Sequence, residues 1–487
     1  MRLIDLLSGE ITQVSLTAEM RESEITGLTA DSRAVEPGFL FAALPGSKVD
    51  GRGYINAAIS NGATAILAPD GTKVAATDIA VLTSPNARST LAHMAAAYYH
   101  AQPETIAAVT GTNGKTSVAH FTRQIWSMLG HRAVSMGTLG LHMPDGTVKP
   151  SLTTPDPVAL HSDLADLTRQ GVSHVVMEAS SHGLDQRRMD GVTLRAAGFT
   201  NLSRDHLDYH GTVENYLAAK THLFADVLPA DGIAVLNADI PEIAALTSTV
   251  RGKIISYGAR GADLTLLSAD PAHVGTRLSL NAFGRRYDLD LPLAGAFQTY
   301  NVLCAAGLVI ACGADADDVI ACLTRLEGVP GRLQRAGTTA SGGSVFIDYA
   351  HTPDALETVL KAMRPHTESR LIVVFGCGGD RDRGKRLMMG RVATGNADFV
   401  IVTDDNPRSE VPADIRHEIM AAAPAAREIG DRADAIREAV FLVSPGDVLI
   451  IAGKGHETCQ IVGEEIRPFD DLLVARQAIT EAGGTKS

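Results

Sequence analysis

Short apolar runs that end in clusters of polar residues recur along the chain. The run 106–109 leads through Thr110 into Gly111-Thr112-Asn113-Gly114-Lys115-Thr116-Ser117. An amphipathic stretch, 118–129, follows, so strand, glycine loop and helix are predicted in that order. Before it, 39–43 and 65–68 read as strands, and the stretches from Tyr54 and over 87–99 as helices. Pro37-Gly38 and the polar loop Gly46-Ser47-Lys48-Val49-Asp50-Gly51 read as turns. After it, 174–177 ends at Glu178 and 196–199 ends in the polar stretch from Thr200 to His210. Parallel strands buried on both faces have this continuous apolar character, and a site at their carboxyl ends accounts for the polar clusters. Tyr216, Leu217, Leu223 and Phe224 repeat at helical spacing, with Lys220 inside their apolar stripe. From about 331 the alternation restarts. Here 345–347 ends in Asp348-Tyr349-Ala350-His351, 371–375 in the stretch from Gly376 to Arg383, 400–402 in Thr403 to Arg408, and 448–451 in Ala452-Gly453-Lys454-Gly455-His456-Glu457. Four such ends describe a Rossmann-like sheet with a crevice of mixed charge.

Breaks at Gln102-Pro103 and near 330 divide the chain into 1–103, 104–330 and 331–487. The expected fold is α/β in three domains: a small α/β domain, a central phosphate-loop domain with a mainly parallel sheet, and a Rossmann-like C-terminal domain. A length of 487 residues agrees, because single cores seldom grow past about 250 to 300 residues. The formal charge of −13, with no segment rich in Lys and Arg, argues against nucleic acid or an anionic membrane as partner. An anionic substrate must then be met by local basic residues. The five cysteines form no C-x-x-C pair, which speaks against a zinc site or a disulfide framework. Asp5 and Glu10 fall where a secretory leader would be apolar, and no apolar run approaches the roughly 20 residues of a membrane span. A soluble, cytoplasmic monomer is expected.

The loop 111–117 has the composition of a phosphate cradle. Its glycines let backbone N–H groups turn toward an anion, the helix N-terminus adds positive potential, Lys115 supplies a cation, and Thr116 or Ser117 can place a hydroxyl on magnesium. The spacing is not the standard G-x-x-x-x-G-K-[ST], whose first glycine would fall at Val109. An ordinary glycine turn is the alternative, but it needs neither the lysine nor the two hydroxyls. Glu178, one step past a buried strand, stands where nucleotide enzymes hold a metal. Two aspartates and two histidines crowd residues 205–210, and His206 beside Asp205 suits metal or phosphate. Lys220 has two readings: its amine snorkels to water, or burial lowers its pKa and the neutral amine takes up carbon dioxide to become a carbamate ligand. Asn301 caps a helix or contacts a base. The segment from Asp380 to Arg386 is a solvated charge run or part of the crevice. Ser32, Arg33 and the loop at 47–50 can hold a polar ligand, although turns use the same residues.

Taken together, the motifs resemble the Mur ligase family, the ATP-dependent amino-acid-adding enzymes of peptidoglycan synthesis. The residues that carry the resemblance are 111–116, Met177-Glu178-Ala179-Ser180-Ser181-His182-Gly183-Leu184, Asn201 to His210, Asp348 to His351, Asp405-Asn406-Pro407-Arg408 and Gly453 to Glu457. The match runs through all three segments in order. It implies a first domain that binds UDP, a central ATPase domain and a third domain that closes over the nucleotide. The implied activity is ligation of meso-diaminopimelate to UDP-N-acetylmuramoyl-L-alanyl-D-glutamate through an acyl phosphate, with ATP and magnesium.

By resemblance, Ala30, Ser32, Ser47, Lys48 and Val49 hold the UDP part, and Thr153, Thr154, Ser180, Gln186 and Arg188 the muramoyl-dipeptide. Gly111 to Ser117 with Lys115 and Thr116 serve ATP and a first magnesium. Glu178, His206 and Lys220 as its carbamate serve a second. Asn301, Arg332 and Asp348 contact adenine and ribose. Arg381, Asp405, Asn406, Pro407, Arg408, Gly453 and Glu457 form the pocket for the incoming amino acid, where Arg408 binds the distal carboxylate and Glu457 the adjoining ammonium. The chain departs from the family at Gln298, where asparagine is usual, and at Leu387, where proline is common. Among alternatives, a phosphate-loop GTPase lacks support because the chain has no Asn-Lys dipeptide to begin a guanine-reading motif. A catalytically silent nucleotide-binding protein would not need Lys115, Glu178, His206 and Lys220 together. A folylpolyglutamate-synthase-like ligase would not need the Asp-Asn-Pro-Arg motif.

Overall fold

The computed structural model describes residues 1–7, 11, 13–46, 49–75, 78–272 and 275–486, so Glu10, Ser47 and Lys48 lie outside the described residues. Contacts divide the chain into two compact units, Met1–Thr265 with Leu303–Ile320, and Leu266–Val302 with Ala321 onward. The first unit therefore takes in both the 1–103 segment and most of the 104–330 segment.

The first unit contains a five-stranded sheet in the order Gln13–Ser15, Ala80–Ser84, Ala65–Pro69, Phe39–Ala42, Gly27–Thr29, parallel except for the first pair. Its larger sheet is centred on the strand Thr105–Thr110, with His174–Glu178 on one side and Ala196–Phe199 on the other, both parallel. Outward from Ala196–Phe199 come Ile233–Asn237 and Lys253–Gly258, again parallel. Beyond His174–Glu178 come Ala133–Gly137 and then an antiparallel edge, Gly140–His142 and Val148–Lys149. The central strands are buried at every position, so their side chains are apolar or small on both faces and no period of two shows in the sequence.

In the second unit the strands Phe399–Val402, Leu371–Phe375, Val448–Ala452 and Ser344–Asp348 run parallel in that order. Leu371, Val373 and Phe375 share a core with Leu356, Leu360 and Met389. Ile372 and Val374 share another with Ile436, Val440, Ala475 and Ile479. Each strand thus packs helices on both faces, and all four carboxyl ends open on one side. Arg432 and Asp471 form an ion pair with both side chains 0% exposed. Arg386, from the expected charge run, is buried between Glu410 and Glu418, so that part of the run is a structural ion-pair cluster.

The helix after the glycine loop begins at Lys115, where Gly114 at φ 90° turns the chain directly into it, so Lys115, Thr116 and Ser117 stand at the helix start as expected. Asn301 is not a helix cap: its helix, Ala296–Ala311, starts earlier, just after Gly295 at φ 93°. Among the described residues all five cysteines are free, and no helix is long and apolar enough to cross a membrane.

Candidate active site

The glycine loop is latched to the neighbouring strand end. Thr112 N–H donates to the Asn201 carbonyl and Asn113 N–H to Asn201 Oδ1, while Thr200 Oγ1 and Asn201 Nδ2 donate to the Asn113 carbonyl. Gly111 has φ 139°, and a Cβ on it would stand 2.0 Å from Thr200 Oγ1, so only glycine lets the loop and this latch approach. Lys115 Nζ donates to the carbonyls of Gly111 at 2.9 Å and Thr112 at 2.8 Å. Ser117 is buried in the first turn of the helix.

Beneath the loop, Thr116 Oγ1 donates to Glu178 Oε2 at 3.0 Å. The other carboxylate oxygen accepts from Thr138 N–H at 2.9 Å, and Thr138 Oγ1 also reaches both Glu178 and Thr153 Oγ1. A Cβ at Gly137 would fall 2.1 Å from Glu178 Oε1, so the acid needs a glycine beside it. From Glu178 the network continues into the residues expected to hold the muramoyl-dipeptide. Thr154 Oγ1 donates to the Glu178 carbonyl and accepts from Ser180 N–H. Arg188 donates to the Thr154 carbonyl at 2.7 Å and to Gln186 Oε1 at 2.8 Å. Gln186 Nε2 in turn donates to Tyr209 OH, which donates to Asp185. The structure therefore gathers Thr116, Glu178, Thr153, Thr154, Ser180, Gln186 and Arg188. Thr138, which organises them, carries no local signal in the sequence, and Tyr209 stands in the polar stretch 200–210 without a role of its own.

Lys220 is 1% exposed, so its amine does not snorkel to water. Its Nζ donates to the Gly111 carbonyl at 2.7 Å and stands over the Tyr216 ring, 4.3 Å from the centroid. Burial, and then the neighbouring Lys115, push its pKa well below the usual lysine value, against a smaller opposing effect of Asp205. His206 has φ 51°, lies beside Asp205 and meets His182 edge to face at 4.9 Å. Burial followed by the adjacent histidines lowers the pKa of His182, and burial is the main cause for His210. Glu178, His206 and Lys220 make no direct contact with one another among the recorded interactions, and no cluster of three or more His, Cys, Asp or Glu able to hold a metal occurs among the described residues.

A cleft of about 520 Å³ is lined by Leu28, Thr29, Ala30, Asp31, Tyr99 and Asp156 with its helix neighbours, so Ala30 faces a cavity. Ser32 and Val49 are not among its lining residues, and Val49 is exposed.

In the second unit, Asn301 Nδ2 donates to Gln298 Oε1, and Gln298 Nε2 donates to the Arg332 carbonyl. The departure at Gln298 is thus what joins Asn301 to Arg332. The Arg332 guanidinium lies over the Tyr349 ring at 4.6 Å. Asp348 accepts from Leu333 N–H and Ala350 N–H. Burial raises its pKa, with Arg332 opposing.

Asp405, Asn406 and Pro407 are buried on their loop, and Arg408 donates to the Gly379 carbonyl at 2.8 Å. Gly453, at φ 113°, lets the next loop pass close to Asp405 Oδ2. Asn406 Nδ2 donates to Glu457 Oε2 at 2.9 Å. Arg381 is exposed and bonds only its neighbour's carbonyl among the recorded hydrogen bonds. Seven described residues other than glycine adopt left-handed φ: His100, Arg187, His206, Phe283, Leu333, Asp380 and Arg408.

Three family descriptions match in succession: Mur ligase family, catalytic domain, over 24–99; Mur ligase middle domain over 109–309; and Mur ligase, glutamate ligase domain, over 331–455. The chain is 55% identical over 464 residues to the UDP-N-acetylmuramoyl-L-alanyl-D-glutamate--2,6-diaminopimelate ligase of Caulobacter vibrioides, covering 93% of this chain and 95% of that one. It is 52% identical to the protein of the same name from Bradyrhizobium diazoefficiens, covering 97% of each. A solved structure with that name superposes with a TM-score of 0.74 at 33% identity, covering 100% of both chains. The chain belongs to the Mur ligase family.

Proposed function

We propose that this chain is an ATP-dependent amide ligase that adds meso-diaminopimelate to UDP-N-acetylmuramoyl-L-alanyl-D-glutamate in the cytoplasm. The segments 1–103, 104–330 and 331–487 serve the UDP substrate, ATP and the incoming amino acid in turn. The observation that carries the reading is the unbroken network from Thr116 through Glu178 and Thr154 to Arg188, which makes the phosphate loop and the expected dipeptide residues one assembly.

The reaction brings two anions together, the γ-phosphate of ATP and the substrate carboxylate. Lys115 supplies positive charge on the nucleotide side, and Arg188, fixed by Thr154 and Gln186, supplies it on the substrate side. Asn301, Arg332 and Asp348 hold the adenosine, and Ala30 with its loop holds the uridine. A hydroxyl and a carboxylate oxygen at 3.0 Å, from Thr116 and Glu178, are the hard donors that magnesium prefers. Magnesium would be held by Thr116 with the nucleotide in the first site and by Glu178, His206 and carbamylated Lys220 in the second, and it would supply charge neutralisation between the reacting anions. The carboxylate attacks the γ-phosphorus, ADP leaves, and the neutral amine of diaminopimelate displaces phosphate from the acyl phosphate.

Phosphate release from ATP with UDP-N-acetylmuramoyl-L-alanyl-D-glutamate tests this, comparing meso-diaminopimelate, L-lysine and no amino acid. Release that depends on diaminopimelate is expected. Release with lysine alone would overturn the amino-acid assignment, and none with either would overturn the whole reading.

A further inference from the structure

The loop Gly453 to Glu457 carries a charge that the proposed reaction leaves unused. Lys454 is 0% exposed, and its Nζ donates to Asn406 Oδ1 and to Glu457 Oε2, each at 3.0 Å. Asn406 Oδ1 also accepts from Ile461 N–H, and Asn406 Nδ2 donates to the same Glu457 oxygen. The side-chain amide of Asn406 therefore has one permitted orientation, because its oxygen faces two donors and its nitrogen a carboxylate. Glu457 Oε2 is held by two donors, and its side chain remains 30% exposed.

The charge count on these two loops then matters. Asp404 is paired with Arg416, which leaves Asp405 and Glu457 against Arg408 and Lys454, two anions and two cations. Of the other charges at these loops, Arg432 is cancelled by Asp471 in a buried pair and Arg381 is exposed to water, which screens it. A substrate terminus carrying one ammonium and one carboxylate preserves this balance, whereas a bare ammonium adds an uncompensated positive charge to a largely buried site. Without Lys454 the loops would carry an excess negative charge and would favour the bare ammonium.

Resting on the proposed ligase reading, we propose that Lys454 is a positioning and specificity-determining residue: by neutralising and orienting Glu457 and Asn406, it makes the pocket select an amino acid with a zwitterionic distal end over one ending in an ammonium alone. Lys454 acts through Glu457 and touches no reacting atom.

The test measures kcat and KM for meso-diaminopimelate and for L-lysine in the full-length wild type, Lys454→Met, Glu457→Gln and the double variant. Lys454→Met is expected to raise KM for diaminopimelate while leaving KM for ATP unchanged, and to lower the diaminopimelate-to-lysine ratio of kcat/KM at least tenfold. In the Glu457→Gln background the same substitution should change that ratio less than about twofold, the signature of two residues acting as one unit. Lys454→Gln keeps a donor to Asn406 without the charge and reads the same ratio if the methionine variant does not fold. An equal loss for both amino acids, or an undiminished effect in the Glu457→Gln background, overturns the inference while the ligase reading stands. A wild type inert with both amino acids overturns the ligase reading and this inference with it.

Discussion

Removing Asp471 is expected to cost far more than its distance to a partner alone would indicate. Its carboxylate accepts from Arg432 Nε and Arg432 NH2, both at 2.7 Å, and both side chains are 0% exposed. The pair Arg467 and Glu465 is equally short at 2.6 Å, but its side chains are 58% and 68% exposed. In Asp471→Ala the buried guanidinium keeps only the carbonyls of Asp404 and Ala452. An uncompensated buried charge of this kind costs about 3–5 kcal/mol, against less than about 1 kcal/mol for losing the exposed pair in Glu465→Ala. At about 1.4 kcal/mol per tenfold, this is a factor of roughly a hundred to several thousand in the folding equilibrium. Urea unfolding followed by far-UV circular dichroism measures both. Replacing the pair with apolar volume, Arg432→Met with Asp471→Leu, should recover stability to within about 1–2 kcal/mol, since the desolvation penalty goes with the charges. It should still lower activity at least tenfold, because the carbonyls just before Asp405 and Gly453 lose their donors. Equal midpoint shifts in Asp471→Ala and Glu465→Ala, or a double variant as unstable as the single one, would refute the reasoning.

Gly111→Ala places a Cβ 2.0 Å from Thr200 Oγ1 at φ 139°, so ADP binding by calorimetry should fall more than about tenfold while the far-UV spectrum is retained. Tyr209→Phe removes the acceptor of Gln186 Nε2 and the donor to Asp185; KM for the UDP substrate should rise about five- to tenfold, worth about 1 kcal/mol, with KM for ATP unchanged. His161 is buried, and burial brings its pKa to about 4. The unfolded chain protonates it near pH 6.5, so the stability tied to its neutral form is complete above that pH and is lost as pH falls toward 4. The loss has an upper limit of about 3.4 kcal/mol, from a pKa lowered by about 2.5 at about 1.36 kcal/mol for each unit. His161→Asn should flatten the unfolding free energy across this window.

The strands that carry the site were legible because each is buried on both faces and ends where polar chemistry begins. Glu178, Asp348 and Asp405 all lie at or just beyond such ends. Lys220 was legible as an anomaly in an apolar stripe, but periodicity could not distinguish a snorkelling amine from a buried one. Burial against the Gly111 carbonyl and Tyr216 depends on residues far away in sequence. Thr138 escaped, and Tyr209 and Lys454 stood inside quoted motifs without a role, because each gains its role from a partner that sequence spacing does not reveal. Thr138 meets Glu178 forty residues on, and Lys454 meets Asn406 forty-eight residues back. Gln298 is a mismatch by residue type alone, yet its amide joins Asn301 to the Arg332 carbonyl. The Arg386 charge was ambiguous for the same reason, since Glu410 and Glu418 bury it from a different helix and loop.

The left-handed residues mark where this chain trades durability for direction. Five of the seven, Arg187, His206, Leu333, Asp380 and Arg408, are expected site residues or their immediate neighbours. Each holds a side-chain-bearing Cα in a conformation that costs about 1–2 kcal/mol relative to right-handed backbone. Arg408 is kept there by Ile461 and Gly463, whose backbone groups pair with its own N–H and carbonyl. Glycine at these positions would relax the backbone, so a screen for heat resistance alone would drift toward Arg408→Gly and away from the arginine that the substrate is proposed to meet. Thermostability selected without catalysis would therefore erode this enzyme first at its own working loops.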